Sequence, residues 1–473
     1  MPASLSDRVA VVVGRLFVLG KRPGQTTYNA AFGRCPCQLM NLSLSSRLPL
    51  RVCSAALLAL ASVCAAVAAP AAPLPPIRIG MIDGLSGPFA NAGEAVVRNI
   101  SYAIERINAR GGVSLPDGKH LLQLSTFDNK LGVEDSLVQL RQLTDERIPF
   151  LIEGNSSAVA AALIDAVNKH NQREPDHRVL FLNYSAVDPT LTNEKCSFWH
   201  FRFDASADMR MQALTEAIKA DPATKKVYLI GQDYSFGRQV AKAAREQLAL
   251  KRPDIAIVGD ELHPIGKIKD FSPYIAKMRS AGADAVITGN WGNDLTLLVK
   301  AARDAGFKAK FYTFYANSLG APAAIGEAGV GVVRAVAEWH PNAGGNPGSP
   351  SDAYYLEFRK RYPQPKDDYL YLRMQVMIDM LVKAIEKAGT TDPKAVAYAL
   401  EGAHYQNAFH QATMRAEDHQ LIQPLYLMQM QRADSGGIRF DNEGSGFGFR
   451  TERFIPAEQT ALPSTCRMQR PPR

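Results

Sequence analysis

The chain of 473 residues carries 54 Lys/Arg against 46 Asp/Glu, a formal charge of +8. That length exceeds what one hydrophobic core supports, so two domains are expected. Its basic balance would suit nucleic-acid or membrane partners, but the placement of the charge gives them no support: residues 1–68 hold seven of the Lys/Arg and one Asp, and the rest of the chain carries 47 basic against 45 acidic residues.

Residues 1–39 have no apolar period and read as an N-terminal extension ahead of the true start at Met40. From there Arg47 and Arg51 precede an apolar run, Val52 to Val67, that ends in Ala66-Val67-Ala68. A charged n-region, an h-region too short to span a bilayer and an A-x-A site make a signal peptide over 40–68. Cleavage after Ala68 leaves Ala69 as the first mature residue and sends the protein across the inner membrane. Of the six cysteines, Cys35, Cys37, Cys53 and Cys64 fall in the removed part, leaving Cys196 and Cys466. In an oxidising compartment these invite one disulfide; two unrelated buried thiols are the alternative. Neither sits in a cluster of several Cys and His at ligand spacing, so no metal is expected.

Ile77 to Val113 (IRIGMIDGLSGPFANAGEAVVRNISYAIERINARGGV) opens the folded part as strand, small-residue loop with Ser86, Gly87 and Pro88, and amphipathic helix. Strand-like apolar runs follow near 120–126, 149–153, 179–183, 227–231, 255–259, 284–289 and 310–314. Most are continuous in Val, Ile, Leu and Phe, as parallel strands covered on both faces require. Helical patterns lie between them at 157–169, 236–250 and 294–305. This alternation predicts an α/β fold of doubly wound parallel sheets. The pattern breaks at 197–208 and 336–352; 352–402 is then helical, and 423–431 returns to strand. Two lobes joined by three crossings, near 202–206, 336–342 and 417–424, fit that order. Lobe one is expected from 76–202 plus 342–417 and lobe two from 203–338 plus 423–455, with a tail at 456–473. From Gly444 on, Gly and Pro predict mostly loop.

Catalytic signatures are missing: no G-x-x-x-x-G-K-[ST], G-x-S-x-G, H-E-x-x-H or strand-end G-x-G-x-x-G occurs. No Ser or Cys has a recognisable base partner, which leaves an exported hydrolase a remote alternative. Asp128 reads as a cap, and His404, His410 and His419 as surface or structural groups. Polar residues gather at strand ends instead, where open α/β sheets bind ligands. Gly154-Asn155-Ser156-Ser157 closes a strand and opens a helix, offering hydroxyls and free N–H groups suited to a carboxylate; a serine acting as N-cap is the plainer reading. Tyr184, Phe236, Trp291 and Tyr315 close other strands beside small or polar residues, like the walls of a cleft.

Residues 77–113, LFLNYSAVDPTLT at 180–192, DYSFG at 233–237, TGNWGND at 288–294, the helical block at 369–402 and EDHQ at 417–420 occur in an order that resembles the leucine/isoleucine/valine-binding protein family. The resemblance spans 76–455. It implies the type I periplasmic-binding fold and a periplasmic, monomeric receptor for a small amino acid, amide or organic acid. It further implies delivery to an inner-membrane ABC permease, and neither a cofactor nor catalysis. A ligand sensor on the same fold, controlling a regulator, is the alternative. The resemblance also favours a Cys196–Cys466 disulfide. It places ligand contacts at Ser156, Ser157, Ser185, Val187, Phe236, Trp291 and Tyr315, to which the strand-end reading adds Ser86, Asn155 and Tyr184. Val187 stands where the family's amino-acid binders have a threonine, and Tyr315 where they have a carboxylate for the α-ammonium. Burying an ammonium without acceptors is costly, so a branched-chain amino acid is not the expected ligand.

Overall fold

The computed structural model describes residues 74–472; the expected signal peptide and the segment before it lie outside them. The chain begins β1 (Ile77–Asp83), α1 (Ala90–Ala109), the hairpin β2 (Val113–Leu115) and β3 (Gly118–His120), β4 (Leu122–Asp128) and α2 (Val133–Asp145). β5 (Phe150–Glu153), α3 (Ser157–Arg173), β6 (Leu180–Asn183) and β7 (His200–Arg202) follow. Strands β4-β1-β5-β6-β7 make one parallel sheet.

The chain then crosses to α4 (Ala207–Lys219), β8 (Lys226–Gln232), α5 (Ser235–Lys251), β9 (Ala256–His263), α6 (Ser272–Ser280) and β10 (Ala285–Thr288). α7 (Gly292–Asp304), β11 (Lys310–Thr313), α8 (Ala321–Ile325) and β12 (Val333–Ala337) complete this passage. A second crossing returns it to the first lobe in α9 (Pro350–Arg361), α10 (Leu372–Ala388), α11 (Pro393–Leu400) and a small antiparallel sheet of β13 (His404–Gln406), β14 (Gln411–Met414) and β15 (Leu421–Ile422). The third crossing leads to β16 (Leu425–Arg432), β17 (Phe447–Ile455) and the single turn α12 (Ala457–Thr460). The second sheet has the order β17-β16-β12-β11-β10-β8-β9, and β16 runs antiparallel to both its neighbours.

Each sheet is buried on both faces, which explains the continuous apolar strands. Ile77, Ile79 and Met81 join a core with α1, α9 and α10, while Ile82 and Phe127 pack under α2 and α3. In the second lobe Val227 and Leu229 face α4 and α5; Tyr228 and Ile230 face α6 and α7. This is the period of two a strand imposes. Gly80 is needed because a Cβ there would stand 2.4 Å from Leu143 of α2.

One expectation needs correction. The stretch after Gly444 contains a nine-residue strand, β17, paired along its length with β16. Its outward residues Arg450, Arg453 and Phe454 are exposed, as on a sheet edge, so its apolar signal is weak. The helical block at 352–402 is three helices of the first lobe, and the central one, α10, is buried on nearly every side.

Beyond β17 the tail leaves the second lobe and ends against the first. Gln212 of α4 donates to the Gln459 carbonyl (3.0 Å), and the Thr460 hydroxyl to that of Gln423 (2.8 Å). Further on, Thr465 N–H donates to Asn193 (3.0 Å) and the Arg470 guanidinium to Glu401 (2.8 Å). Cys466 is disulfide-bonded to Cys196, with Cα atoms 5.7 Å apart.

Candidate functional site

Parallel strands end on one edge of each sheet, and the loops that follow them face each other across the inter-lobe cleft. The first lobe contributes Asn155, Ser157, Tyr184, Ser185 and Val187 to a cavity there; the second contributes Tyr234, Phe236, Trp291 and Tyr315. The cavity volume is about 60 Å³. At roughly 10–15 Å³ per water on that measure, it holds a small molecule and little else.

The 154–157 turn follows from its sequence. A Cβ at Gly154 would lie 2.5 Å from the Ser185 backbone nitrogen, so glycine lets the two loops touch. Ser156 is the N-cap of α3: its hydroxyl accepts from Val159 N–H (3.4 Å), and its own N–H donates to Glu153 (2.9 Å). Ser157 begins the helix, lines the cavity, and accepts from Asp188 N–H (3.2 Å). Ser156 and Ser86 do not line the cavity. Ser86 is exposed, and its hydroxyl bonds Asp128.

Under the floor lie two carboxyls on neighbouring strand ends, Asp83 and Glu153, both fully buried. Asp83 accepts from Asn155 (2.7 Å), Gly84 N–H (2.7 Å) and the Tyr184 hydroxyl, fixing two groups of the wall. Burial pushes Asp83 up to about 6, against the pull of these donors. Burial and the neighbouring Asp83 push Glu153 well above the usual carboxylate range.

The opposite wall is aromatic. The Trp291 indole donates to the Tyr234 hydroxyl (2.9 Å), which sets its plane. Burial raises the Tyr315 hydroxyl against the pull of Arg210, whose Cζ lies 5.2 Å from the ring, so Tyr315 stays neutral. Among the described residues, the cavity wall contains no Asp or Glu.

Sequence reading missed Tyr234, Ser318, Tyr371 and Arg373 in this wall. Arg373, at the start of α10, donates to Glu338 (3.0 Å) and lies 3.4 Å from an oxygen of Asp204. Asp204 also pairs with Arg210, and Ser185 donates to it (2.8 Å). Burial works against each charge here, yet Arg210 and Arg373 hold Asp204 below the usual carboxylate range, and Glu338 and Asp204 hold Arg373 above its ordinary value. The sequence signal for Arg373 is a lone cation in the apolar run LRMQVMIDML, since a buried Arg needs partners from elsewhere.

His410 and His419, expected at the surface or in structural roles, are buried in structural ones; His419 stacks on Phe201 with ring centroids 3.8 Å apart. Asp128 accepts from Leu85 and Lys130 N–H groups, as a loop cap does.

A family model described as periplasmic binding protein matches residues 76–437. A Brucella melitensis protein named Leu/Ile/Val-binding protein homolog 4 is 31% identical over 406 residues, covering 84% of this chain and 93% of the relative. Among solved structures, the leucine-, isoleucine-, valine-, threonine- and alanine-binding protein of Brucella ovis, in its closed conformation, superposes with a TM-score of 0.74 at 29% identity. It covers 84% of this chain and all of its own. A Rhodopseudomonas palustris solute-binding protein in complex with 4-hydroxybenzoate shares the fold, with a TM-score of 0.67 at 17% identity over 80% of this chain and 97% of its own. With its two lobes and inter-lobe cleft, the chain belongs to the periplasmic binding protein family and, within it, to the relatives of the Leu/Ile/Val-binding proteins.

Proposed function

We propose that this protein is an exported, monomeric solute receptor that captures a small carboxylate or amide lacking an ammonium group, closes over it and delivers it to an inner-membrane ABC permease. One observation carries the reading: the cavity joins hydroxyl, amide and helix N-terminal donors of one lobe to an aromatic wall of the other, with no carboxylate among the described residues of its lining. Free N–H groups at the start of α3, with Ser157 and Asn155, suit a ligand carboxylate. Tyr234, Phe236, Trp291 and Tyr315 suit an apolar or planar body. An ammonium would lose its hydration without gaining an acceptor charge. Relatives are named as binding amino acids, and structures of the same fold hold benzoates, so both classes belong in the test. Lobes that both touch the ligand are pulled together by it, which is hinge closure by differential contact. The expected leader at 40–68, cleaved after Ala68, supports export.

A thermal-shift screen of carboxylates, amides and amino acids tests this, followed by calorimetry on each hit. Stabilisation by ammonium-free acids or amides is the expected result. Tight binding of leucine would overturn the ligand class; chemical turnover of a bound hit would overturn the receptor reading itself.

A further inference from the structure

Asp83 and Glu153 end two paired strands, β1 and β5, beneath the cavity floor, and every group hydrogen-bonded to them is neutral. Asp83 accepts from the Gly84 N–H, the Asn155 amide and the Tyr184 hydroxyl, and Glu153 from Ser156 N–H. The second oxygen of Glu153 has no hydrogen-bond partner among the described residues. A buried carboxylate with a bare oxygen and no cation is costly, and a second charge close by raises the cost, so Glu153 is held as the acid.

The other charges near the pair do not offset it. β4 ends in Asp128, whose charge adds to that of Asp83. α1 presents only Ala92 and Val96 to the cavity, and α3 only Ser157. Tyr234, from the second lobe, is reached by the charges of Glu153 and Asp188. Arg373 of α10 is the cation in the wall, and it is already matched: with Arg210 it faces Asp204 and Glu338, two cations against two anions. An anion seated at the start of α3 therefore gains N–H groups but no spare cation. It also sits on the turn whose Asn155 is bound to Asp83 and whose Ser156 is bound to Glu153. A negative charge is held there at least cost when a proton arrives with it.

We propose that capture is proton-linked: Asp83 is a proton-binding site beneath the ligand, and seating an anionic carboxylate draws a proton onto it, whereas a neutral ligand of the same shape draws none. This rests on reading the cleft as a receptor site for a small carboxylate. The proton comes from solvent, forms one O–H bond on the Asp83 carboxylate and returns to solvent on release. A neutral Asp83 keeps its three partners, because the Tyr184 hydroxyl can turn from donor to acceptor.

Calorimetry at pH 7, in buffers of different ionisation enthalpy, counts the protons that move with the ligand. Benzoate and 4-methylpentanoate are the anionic probes; benzamide and 4-methylpentanamide are neutral probes of the same shapes. Each anion that binds should bring about half a proton or more, and each amide none. Affinity for the anions should level off below about pH 6, where Asp83 is already protonated in the free protein. Above that it should fall by up to about tenfold per pH unit, while affinity for the amides stays constant. Asp83→Asn carries no charge at any pH, so its anion binding should lose both the proton uptake and the slope. If that variant does not fold, the wild-type buffer series decides alone. Anions that bind without proton uptake, uptake that survives in folded Asp83→Asn, or equal uptake with the amides overturns the proposal and leaves the receptor reading intact. Failure of every probe and every screened compound removes the receptor reading, and the proposal with it.

Discussion

Phe89 and Trp291 meet across the mouth of the cleft, one from each lobe, with ring centroids 4.5 Å apart at an interplanar angle of 39°. Beside them Asn293 donates to the Pro88 carbonyl (2.9 Å). These contacts exist only when the lobes are together, so they act on closure rather than on the ligand. Trp291 also lines the cavity, whereas Phe89 does not. Phe89→Ala is therefore expected to weaken ligand binding by about 1 kcal/mol, the worth of an aromatic pair, chiefly through faster release. Trp291→Ala removes the ligand wall as well and should cost roughly 2 kcal/mol or more. Stopped-flow release rates beside calorimetric affinities check both; an unchanged release rate in Phe89→Ala would contradict the closure role.

The adjacent serines at the start of α3 should behave differently. Ser156→Ala removes a cap and should lower stability by about 1 kcal/mol, leaving ligand affinity unchanged. Ser157→Ala removes a cavity hydroxyl and should lower affinity for a carboxylate by roughly 1.5–3 kcal/mol. Denaturation and calorimetry on both variants separate the roles.

Asp83 predicts a pH dependence. Its carboxyl moves from an ordinary 3.8 to about 6 on folding, so the folded state holds the proton more tightly. The stability this gives is complete below about pH 4 and is lost as pH rises through about 6, falling by up to about 3 kcal/mol. Glu153, also pushed upward, adds to the loss with the same sign. Unfolding free energies between pH 4 and 7 should fall less steeply in Asp83→Asn than in wild type. Parallel curves would show that Asp83 is not the titrating group.

Tyr315→Glu should shift selectivity toward leucine-like amino acids. It adds one negative charge beside an ion-pair set that has none in excess, and so provides the acceptor an α-ammonium lacks in the native wall. A gain of about tenfold in affinity for leucine relative to the native ligand, or about 1.4 kcal/mol, is the expected calorimetric outcome. No relative gain would mean that Arg210 and Arg373 absorb the new charge.

Much of this was legible in the chain. Runs such as IRIGMID and KVYLIGQ announced strands covered on both faces, because burial on both sides removes polar residues from every second position. Tyr184, Phe236, Trp291 and Tyr315 were legible because parallel strands put their ends on one edge whatever the loops contain. Strand β17 was not, since an exposed edge strand can be charged and glycine-rich while its backbone pairs fully. Arg373 was hidden for another reason. Its partners Asp204 and Glu338 are remote in sequence, and inside a helical pattern only their convergence marks it as part of a site.

The path of the tail has a mechanical consequence. With Cys466 tied to Cys196, 270 residues apart, the covalent chain closes into a ring that contains every strand of the second sheet. The second lobe thus has no loose end from which to unravel, and in the chain-entropy account the ring narrows its unfolded ensemble by about 5–6 kcal/mol. The tail also runs beside the third crossing, at Gln423, and so makes a fourth span of chain between the lobes. A span near the axis lengthens little when the cleft bends open but must stretch or shear when the lobes rotate about their long direction. If the lobes move as a hinged receptor's do, the disulfide-tied tail is expected to leave opening cheap and make twisting stiff, so that the two half-sites separate and return in register.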